Sequence, residues 1–235
     1  MSSEQVCTKG SLSIVIPVLN AAAHLPTTLT SIRSAPLQET IREIVVVDGG
    51  SQDGSAKIAQ SYDARVVQSS AGRGRQLSAG AAAATAPWLL FLHADTRPDP
   101  GWIEKIQDRI RREDVDQAAV FRLRFDDAAS SARVIERGVA WRTKTLALPY
   151  GDQGLLISRK LYDAVGGYSA IPLMEDVDLI RRIGRRRFVM LDHHVTTSAE
   201  RYQRDGYVLR VLRNLTILSL YFLGVSPKTL AKLYG

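Results

Sequence analysis

The sequence predicts an α/β domain built on a mostly parallel β-sheet that is flanked by helices. Three mostly apolar runs of strand length, at residues 12–18, 44–48 and 88–92, indicate strands that are buried on both faces. Stretches with a helical pattern separate these runs along the chain. Strands that alternate with helices are joined by crossover connections, which is the arrangement of a parallel sheet.

Turn and capping signals set the order of the remaining elements. Pro17 ends the first strand because proline cannot donate to a sheet ladder, and glycines follow the second strand. Further strands are predicted at 65–68, 118–125, 155–158 and 187–191. Helices are predicted from residue 20 to about 32, at 53–62, 77–84, 102–112 and 130–145, from about 159, from 174 and at 207–225. We expect one catalytic domain over residues 1–202 and a helical C-terminal extension over 203–235.

Composition and charge exclude several classes of protein. The chain has 235 residues, a net charge of +7 and 45% hydrophobic residues, which suits a globular domain. Its single cysteine, Cys7, excludes an internal disulfide, and residues 1–10 lack the order of a signal peptide. We therefore expect a cytoplasmic protein, with the inner face of the membrane left open. No nucleic-acid-reading motif accompanies the basic charge, so no nucleic-acid partner is predicted.

Two of the apolar strands end in carboxylates. Asp48 closes the run 44–48 and is followed by Gly49 and Gly50, and His93 and Asp95 follow the run 88–92. Ligands of open α/β sheets bind at the carboxyl ends of strands, so we expect these side chains to share one edge. A histidine and an aspartate together suit a divalent metal, and a metal suits a phosphate-bearing substrate.

Two other segments allow both a functional and a structural interpretation. The loop 71–76 carries Arg73, Arg75 and Gln76 at a helix start, which favours an anion site, although an exposed Arg-Gly loop is the alternative. It is not a dinucleotide-binding fingerprint, because Leu77 stands where the third glycine belongs. Glu175 and Asp176 begin a helix, where they either complement its dipole or provide a general base.

The C-terminal segment 207–225 is mostly apolar and contains two arginines. Its uncharged part is too short to span a bilayer. Packing on the domain, a homodimer contact and a helix lying in a membrane interface all remain open. The pair His193–His194 after the last predicted strand is likewise either structural or metal-binding.

Four segments in this order resemble family 2 glycosyltransferases of the GT-A fold: residues 13–20, 47–55, 93–95 and 175–176. The resemblance is strongest to a small bacterial branch in which His-Ala-Asp-Thr replaces the Asp-x-Asp metal motif. It covers roughly residues 12–204 and implies a Rossmann-like sheet.

The resemblance also implies inverting transfer of a sugar from a nucleotide diphosphate sugar, a UDP- or GDP-sugar, to a hydroxyl acceptor with Mg or Mn. A lipid-linked acceptor is one hypothesis, motivated by the apolar C-terminal helix. Asp176 matches the catalytic base, beside Glu175. The metal-site residues are Asp95, His93 and His193. The implied donor-site residues are Pro17, Val18, Asn20, Asp48, Gly49, Gly50, Ser51, Asp53, Arg73, Arg75, Gln76, Ala94, Asp95 and Arg201.

Departures from the family pattern limit these expectations. His93 replaces the first acid of the metal motif, so metal coordination differs from the usual one. No Gln-x-x-Arg-Trp motif is present, which favours a single transfer over processive synthesis. A sugar-phosphate nucleotidyltransferase and a nucleotide-sugar-binding protein without catalysis are the alternatives. The nucleotidyltransferase would need a glycine-rich phosphate loop after the first strand, where Pro17 to Asn20 stand instead.

Overall fold

The computed structural model describes residues 10–36 and 38–234, and Cys7 lies outside them. One eight-stranded sheet forms the centre of the fold. The strands are β1 (Leu12–Val18), β2 (Ile41–Asp48), β3 (Arg65–Gln68), β4 (Trp88–Phe91), β5 (Thr96–Pro98), β6 (Ala118–Phe125), β7 (Leu155–Ser158) and β8 (Phe188–Thr197). The helices are α1 (Leu25–Arg33), α2 (Ser55–Ser61), α3 (Arg73–Ala83), α4 (Trp102–Arg111), α5 (Ser130–Leu146), α6 (Arg159–Ala164), α7 (Glu175–Ile183), α8 (Glu200–Asp205), α9 (Tyr207–Phe222) and α10 (Pro227–Tyr234).

The strand order is β3-β2-β1-β4-β7-β6-β8-β5. Strands β3, β2, β1 and β4 run parallel, and β6 and β8 form a second parallel pair. Strand β7 joins the two groups by pairing antiparallel with β4 and β6. The predicted α/β architecture is confirmed, and the parallel β1–β4 half brings the ends of β1, β2 and β4 to one edge.

Apolar side chains cover both faces of the sheet. On one face, Leu29 of α1 and Trp102 of α4 pack against β1 and β4. On the other face, Leu77 of α3 and Leu179 of α7 do the same. Because both faces are buried, the strands are continuously apolar, as the runs in the sequence indicated.

Helix α1 begins at Leu25 and not at residue 20, and α8 and α10 are helices that the sequence did not predict. Three further differences concern elements near the predicted site residues. Helix α3 begins at Arg73 rather than at residue 77, so the predicted basic loop is its first turn. Strand β8 continues to Thr197, so His193 and His194 lie within a strand and not at its end. Strand β5 was not predicted, because its three residues fall in a segment that reads as a proline turn.

Within residues 10–36 and 38–234, no helix is both long enough and apolar enough to cross a membrane.

Gly80 allows α3 to lie close against the sheet. A Cβ at this position would lie 2.3 Å from Cγ1 of Val15 and 2.8 Å from Cγ2 of Val47, two buried strand residues. We expect Gly80→Ala to lower the free energy of unfolding by about 1–3 kcal/mol, because the added methyl group would overpack the core. Gly138 in α5 has no atom within 4 Å of its Cβ position, so Gly138→Ala is the control.

The Gly138→Ala control should raise stability by about 0.5–1 kcal/mol through helix propensity. Urea unfolding of both variants measures the difference. Equal effects of the two substitutions would show that α3 does not pack as tightly as described.

Candidate active site

A first cavity opens at the edge where β1 and β4 end, and we call it the strand-edge cavity. Its volume is about 530 Å³, and it combines backbone of the β1 end with charged side chains. The predicted donor-site residues in its lining are Pro17, Val18, Asn20, Arg73, Gln76, Ala94, Asp95 and Arg201. His93, Glu175 and Arg204 also line it. The structure therefore brings eight of the predicted donor-site residues to one cavity, together with the predicted site residues His93 and Glu175.

A second, smaller cavity of about 150 Å³ adjoins the first, and we call it the C-terminal cavity. The two cavities share Arg73, His93, Asp95, Leu173, Glu175, Ser198, Arg201 and Tyr234. Asp176 and Asp152 line only the C-terminal cavity, and so do Arg210, Asn214 and Ile217 of α9. The catalytic base expected from the sequence therefore stands on the far side of Asp95 from the β1 end.

The turn after β2 holds the β1 end in place. The Ser51 hydroxyl accepts a hydrogen bond from the Asn20 amide at 2.9 Å, and Asp53 accepts one from the Ala22 amide at 2.8 Å. The Asn20 side chain accepts in return from the Gln52 amide at 2.9 Å. Asn20 has a φ of 51°, a left-handed conformation that asparagine tolerates better than most residues. These contacts fix the backbone that lines the strand-edge cavity.

Six predicted donor-site residues are not part of the cavity lining: Ser51 and Asp53, which hold the β1 end, and Asp48, Gly49, Gly50 and Arg75. Asp48 is buried and accepts hydrogen bonds from the Ser51 amide and the Gln68 side chain. Gly49 packs against Gln76, and neither it nor Gly50 is part of the lining. The exposed Arg75 bonds the carbonyl of Ala71 at 3.4 Å. Asp48 and Arg75 are therefore not part of the cavity lining, and their contact with a ligand stays a prediction.

Gln76 lines the strand-edge cavity but is almost fully buried. Its side-chain amide donates to the carbonyls of Val18 at 2.7 Å and Val47 at 2.9 Å. Leaving these buried carbonyls without a donor is costly, so the side chain is committed to joining β1 and β2. Gln76 thus shapes the cavity rather than offering its amide to a ligand.

The N-terminus of α3 meets the N-terminus of α7 through an ion pair. Nη1 of Arg73 lies 3.6 Å from Oε1 of Glu175, a buried carboxylate oxygen with no hydrogen-bond partner among the described residues. Gly74 permits this approach, because a Cβ there would lie 2.3 Å from the carbonyl oxygen of Ser169. Burial and then the charge of Asp176 raise the pKa of Glu175 from 4.5 to about 7.

The raised pKa of Glu175 predicts a pH-dependent stability. Between pH 4.5 and about 7 the folded chain retains a proton on Glu175 that the unfolded chain has lost. Stability from this group is therefore complete below pH 4.5 and lost as the pH rises to about 7. We expect the free energy of unfolding of Glu175→Gln, relative to the wild type, to rise over this range and then level off.

Urea unfolding at a series of pH values, with chelator and without nucleotide, measures this difference. Glu113→Gln, a substitution at an exposed carboxylate on the chain just after α4, is the control and should give a flat difference. A flat difference for Glu175→Gln as well would contradict the prediction.

His93 and Asp95 stand together where the two cavities join. Burial, and next the positive charge of Arg73, lower the pKa of His93 to about 4, so its imidazole is neutral near pH 7. Gly151 lies against this ring, since a Cβ there would be 2.6 Å from Nε2. The only hydrogen-bond partner of the Asp95 carboxylate within the described residues is the Thr96 hydroxyl at 3.4 Å. Its oxygens suit a hard cation that takes its remaining ligands from phosphate or water.

The structure does not bring His193 to this site. Its Nε2 lies 3.0 Å from the carbonyl oxygen of Asp99, and the ring packs beside Phe121. Neither His193 nor His194 lines either cavity, because β8 extends past both. Across residues 10–36 and 38–234, no group of three or more His, Cys, Asp or Glu side chains could hold a metal by itself. His193 thus lies apart from Asp95 and His93 in this arrangement, and its role as a metal ligand stays a prediction.

The turn 151–153 supplies site residues that sequence reasoning missed. The Gly151 amide donates to Oδ2 of Asp176 at 2.9 Å, and the Val177 amide donates to Oδ1 at 2.7 Å. Burial raises the pKa of the neighbouring Asp152 to about 6. Buried Gln153 anchors the turn to the carbonyl of Phe121 at 3.0 Å. The Gly-Asp-Gln-Gly sequence was visible as a turn, but nothing local links it to Asp176.

The C-terminal helices also contribute residues that were not predicted. Arg210, Asn214 and Ile217 share one face of α9 at helical spacing, and this face closes the C-terminal cavity. Tyr234 of α10 accepts a hydrogen bond from Arg210 at 2.6 Å and lines both cavities. In the sequence, the two polar residues Arg210 and Asn214 stand one helical turn apart in an apolar segment, and this spacing could have indicated a polar site on one face of the helix.

The fold of the chain is the GT-A fold of glycosyltransferases. Glucosyl-3-phosphoglycerate synthase from Mycobacterium tuberculosis, solved with Mn²⁺, UDP and glucosyl-3-phosphoglycerate, has a TM-score of 0.56 and 20% identity. That match covers 80% of this chain and 70% of the other. TarS from S. aureus has a TM-score of 0.64 and 17% identity, and covers 88% of this chain and 65% of the other.

The sequence model of glycosyl transferase family 2 matches residues 13–172, and the chain belongs to this family. Glycosyltransferase AglE of Haloferax volcanii is 28% identical over 101 residues, which are 40% of this chain and 33% of that protein. A PGL/p-HBAD biosynthesis glycosyltransferase of Mycobacterium bovis is 38% identical over 90 residues, 35% of this chain and 34% of the relative. The matched stretches thus span about a third of these curated relatives.

Proposed function

We propose that the chain is an inverting, metal-dependent glycosyltransferase that moves a sugar from a nucleotide diphosphate sugar to a hydroxyl in one non-processive transfer. The observation that carries this proposal is the junction of the two cavities at Asp95. Asp176 lines the C-terminal cavity alone, across this junction from the β1 end. A donor in one cavity and an acceptor in the other would meet there.

The strand-edge cavity is the proposed donor site. Pro17, Val18 and Asn20 would contact the nucleoside, held by the turn that contains Ser51 and Asp53. Arg73 and Arg201 line both cavities and would face the diphosphate. A divalent cation bound by Asp95 supplies charge that stabilises the departing diphosphate. The oxygen ligands at this site fit such a cation, because Mg²⁺ is commonly held by one or two carboxylates together with substrate phosphates.

Asp176 is the proposed general base. An inverting displacement needs one carboxylate to remove the proton from the acceptor hydroxyl as it attacks the sugar. The amides of Gly151 and Val177 each donate to one oxygen of Asp176, which fixes the plane of the carboxylate. The remaining lone pairs are available to an acceptor in the C-terminal cavity. Buried Glu175 would hold Arg73 in place from behind.

The His-Ala-Asp-Thr sequence supports membership of the small branch in which it replaces Asp-x-Asp. A neutral His93 leaves one formal negative charge at the motif instead of two. Arg73, Arg201 and a divalent cation held by that one carboxylate would then neutralise the diphosphate. The solved neighbour from M. tuberculosis contains UDP, so a UDP-sugar is the first donor to test and a GDP-sugar the second.

Thermal-shift measurements on the full chain with UDP, GDP, TDP and CDP, each with Mn²⁺, Mg²⁺ or chelator, test the donor class. A ligand that binds only the folded state raises the melting temperature by mass action. We expect a metal-dependent rise of the melting temperature with one nucleotide. In a separate turnover assay, we expect the enzyme to release that nucleotide from the corresponding nucleotide sugar. Binding without turnover would favour a nucleotide-sugar-binding protein. No shift with any diphosphate would overturn the proposal.

A further inference from the structure

Helix α9 presents an apolar face to solvent. The exposed positions repeat at helical spacing along its whole length and at the residue after it: Val208, Leu209, Leu212, Leu215, Phe222 and Leu223. Four of these side chains are more than half exposed, at 74% for Val208, 66% for Leu209, 55% for Leu212 and 80% for Leu223. Only Thr216 and Ser219 interrupt the face, and neither is charged. A helix that packs on a soluble domain normally turns charged residues outward, and α9 does the reverse.

The opposite face of α9 is already engaged. Arg210 is buried and donates to Asp205 at 3.0 Å and to the Tyr234 hydroxyl at 2.6 Å. Ile217 is also buried. Because this inner face is packed on the domain, rotating α9 about its axis would not bury the apolar outer face without exposing Arg210 and Ile217.

Basic residues surround this face. From Gly206 to Gly235 the sequence has four basic residues and no acidic one. Near the end of α9, the guanidinium of Arg181 lies 5.9 Å from the ring centre of Tyr221 and 5.3 Å from that of Phe222. The run 185–187 follows α7 with three exposed arginines, none of which forms an ion pair within the described part of the chain.

We propose that the outer face of α9, with Arg181 at its end and the exposed arginines at 185–187 that follow α7, binds the surface of an anionic phospholipid membrane. Apolar side chains flanked by arginines are the combination that holds an amphipathic helix in the plane of an interface. Anionic headgroups complement the arginines, and each basic residue near the surface contributes to attraction. The same face of a second copy offers no such complement, because residues 206–235 contain no acidic side chain.

This surface would bring the C-terminal cavity to the membrane. Arg210, Asn214 and Ile217 on the inner side of α9 line that cavity, and the membrane would contact the outer side. If the chain transfers sugar as proposed, the acceptor hydroxyl would then belong to a membrane-anchored molecule. The docking itself does not depend on sugar transfer.

Co-sedimentation of the full chain with phospholipid vesicles tests the surface. The probes are vesicles of phosphatidylcholine, and the same vesicles with about a third phosphatidylglycerol. We expect binding to the anionic vesicles only, weakening as salt rises. The double variant Leu209→Asn/Leu212→Asn should lower the partition coefficient at least about tenfold. The triple variant Arg185→Ser/Arg186→Ser/Arg187→Ser should lower it on the order of a hundredfold.

Matched controls separate this surface from general effects of charge and exposure. Val134→Asn removes an apolar residue of α5 that is as exposed as Leu209, and Arg111→Ser/Arg112→Ser removes charge at the end of α4. Both should bind as the wild type does. Nucleotide thermal shifts show that each variant is folded, and any intact melting transition serves if the nucleotide proposal fails.

Absence of vesicle binding by the wild type would overturn the docking surface. Unchanged binding by both the leucine double variant and the arginine triple variant would overturn it as well. So would equal loss in the controls. A concentration-dependent dimer that Leu209→Asn/Leu212→Asn dissolves, without vesicle binding, would assign the face to a second copy instead. Vesicle binding that persists while no nucleotide binds would leave the docking surface supported and the glycosyltransferase proposal overturned.

Discussion

Asp176→Asn is expected to reduce sugar transfer by about 10²–10⁴-fold, the usual contribution of a positioned general base. The substitution preserves the size of the side chain but removes the charge that accepts the acceptor's proton. Donor binding should not change, because Asp176 does not line the strand-edge cavity. Release of nucleotide diphosphate from the donor measures turnover, and the thermal shift with nucleotide and metal measures binding. Loss of turnover with unchanged binding is the expected pair of results.

Asp178→Asn is the matched control for Asp176→Asn. Both carboxylates lie in the first turn of α7, so both interact with the positive end of the helix dipole. Asp178, however, is paired with Arg182 at 2.7 Å and accepts from the Ser169 hydroxyl at 2.7 Å. We expect this control to lose stability and keep turnover. Equal losses of turnover in the two variants would mean that Asp176 acts only through the helix terminus, and no loss in either variant would remove Asp176 as the general base.

The sequence was sufficient to predict the parts of the site that strands deliver. Asp95 lies in the short segment after β4 and lines the cavity, and the turn that begins at Asp48, the last residue of β2, holds the β1 end in place. An apolar run that ends in a carboxylate fixes both the strand and the edge where its last side chain stands. The buried faces of β1, β2 and β4 are a consequence of the same apolar runs, so the fold class followed from them as well.

Tertiary contacts decided what the sequence could not predict. Gln76 looked like a ligand-facing residue of a basic loop, but burial commits its amide to the carbonyls of Val18 and Val47. His193 looked like the end of a strand, but β8 pairs with β5 and β6 to its last residue, Thr197, so the histidine lies within the strand and away from the cavities. The C-terminal cavity depends on α9 packing across the sheet edge. No periodicity in residues 207–222 specifies which neighbour that helix meets.

Asp95→Asn is expected to abolish the metal dependence of nucleotide binding. The variant retains the shape of the side chain and loses the carboxylate that a divalent cation requires. In Mn²⁺ or Mg²⁺ we expect nucleotide affinity to fall at least about tenfold, which is about 1.4 kcal/mol. In chelator, wild type and variant should bind the nucleotide equally. Calorimetric titration with the nucleotide identified by thermal shift measures all four affinities.

Asp152→Asn tests whether any loss reflects only the charge of the pocket. Asp152 lines the C-terminal cavity together with Asp95, but it does not line the strand-edge cavity. Removing its carboxylate changes the local field by the same formal charge, so metal-dependent nucleotide binding should persist. Equal loss in both variants would mean that the arginines and net charge, rather than a cation on Asp95, govern the diphosphate. An unchanged metal response in Asp95→Asn would instead place the cation on other oxygens and remove Asp95 from the metal site.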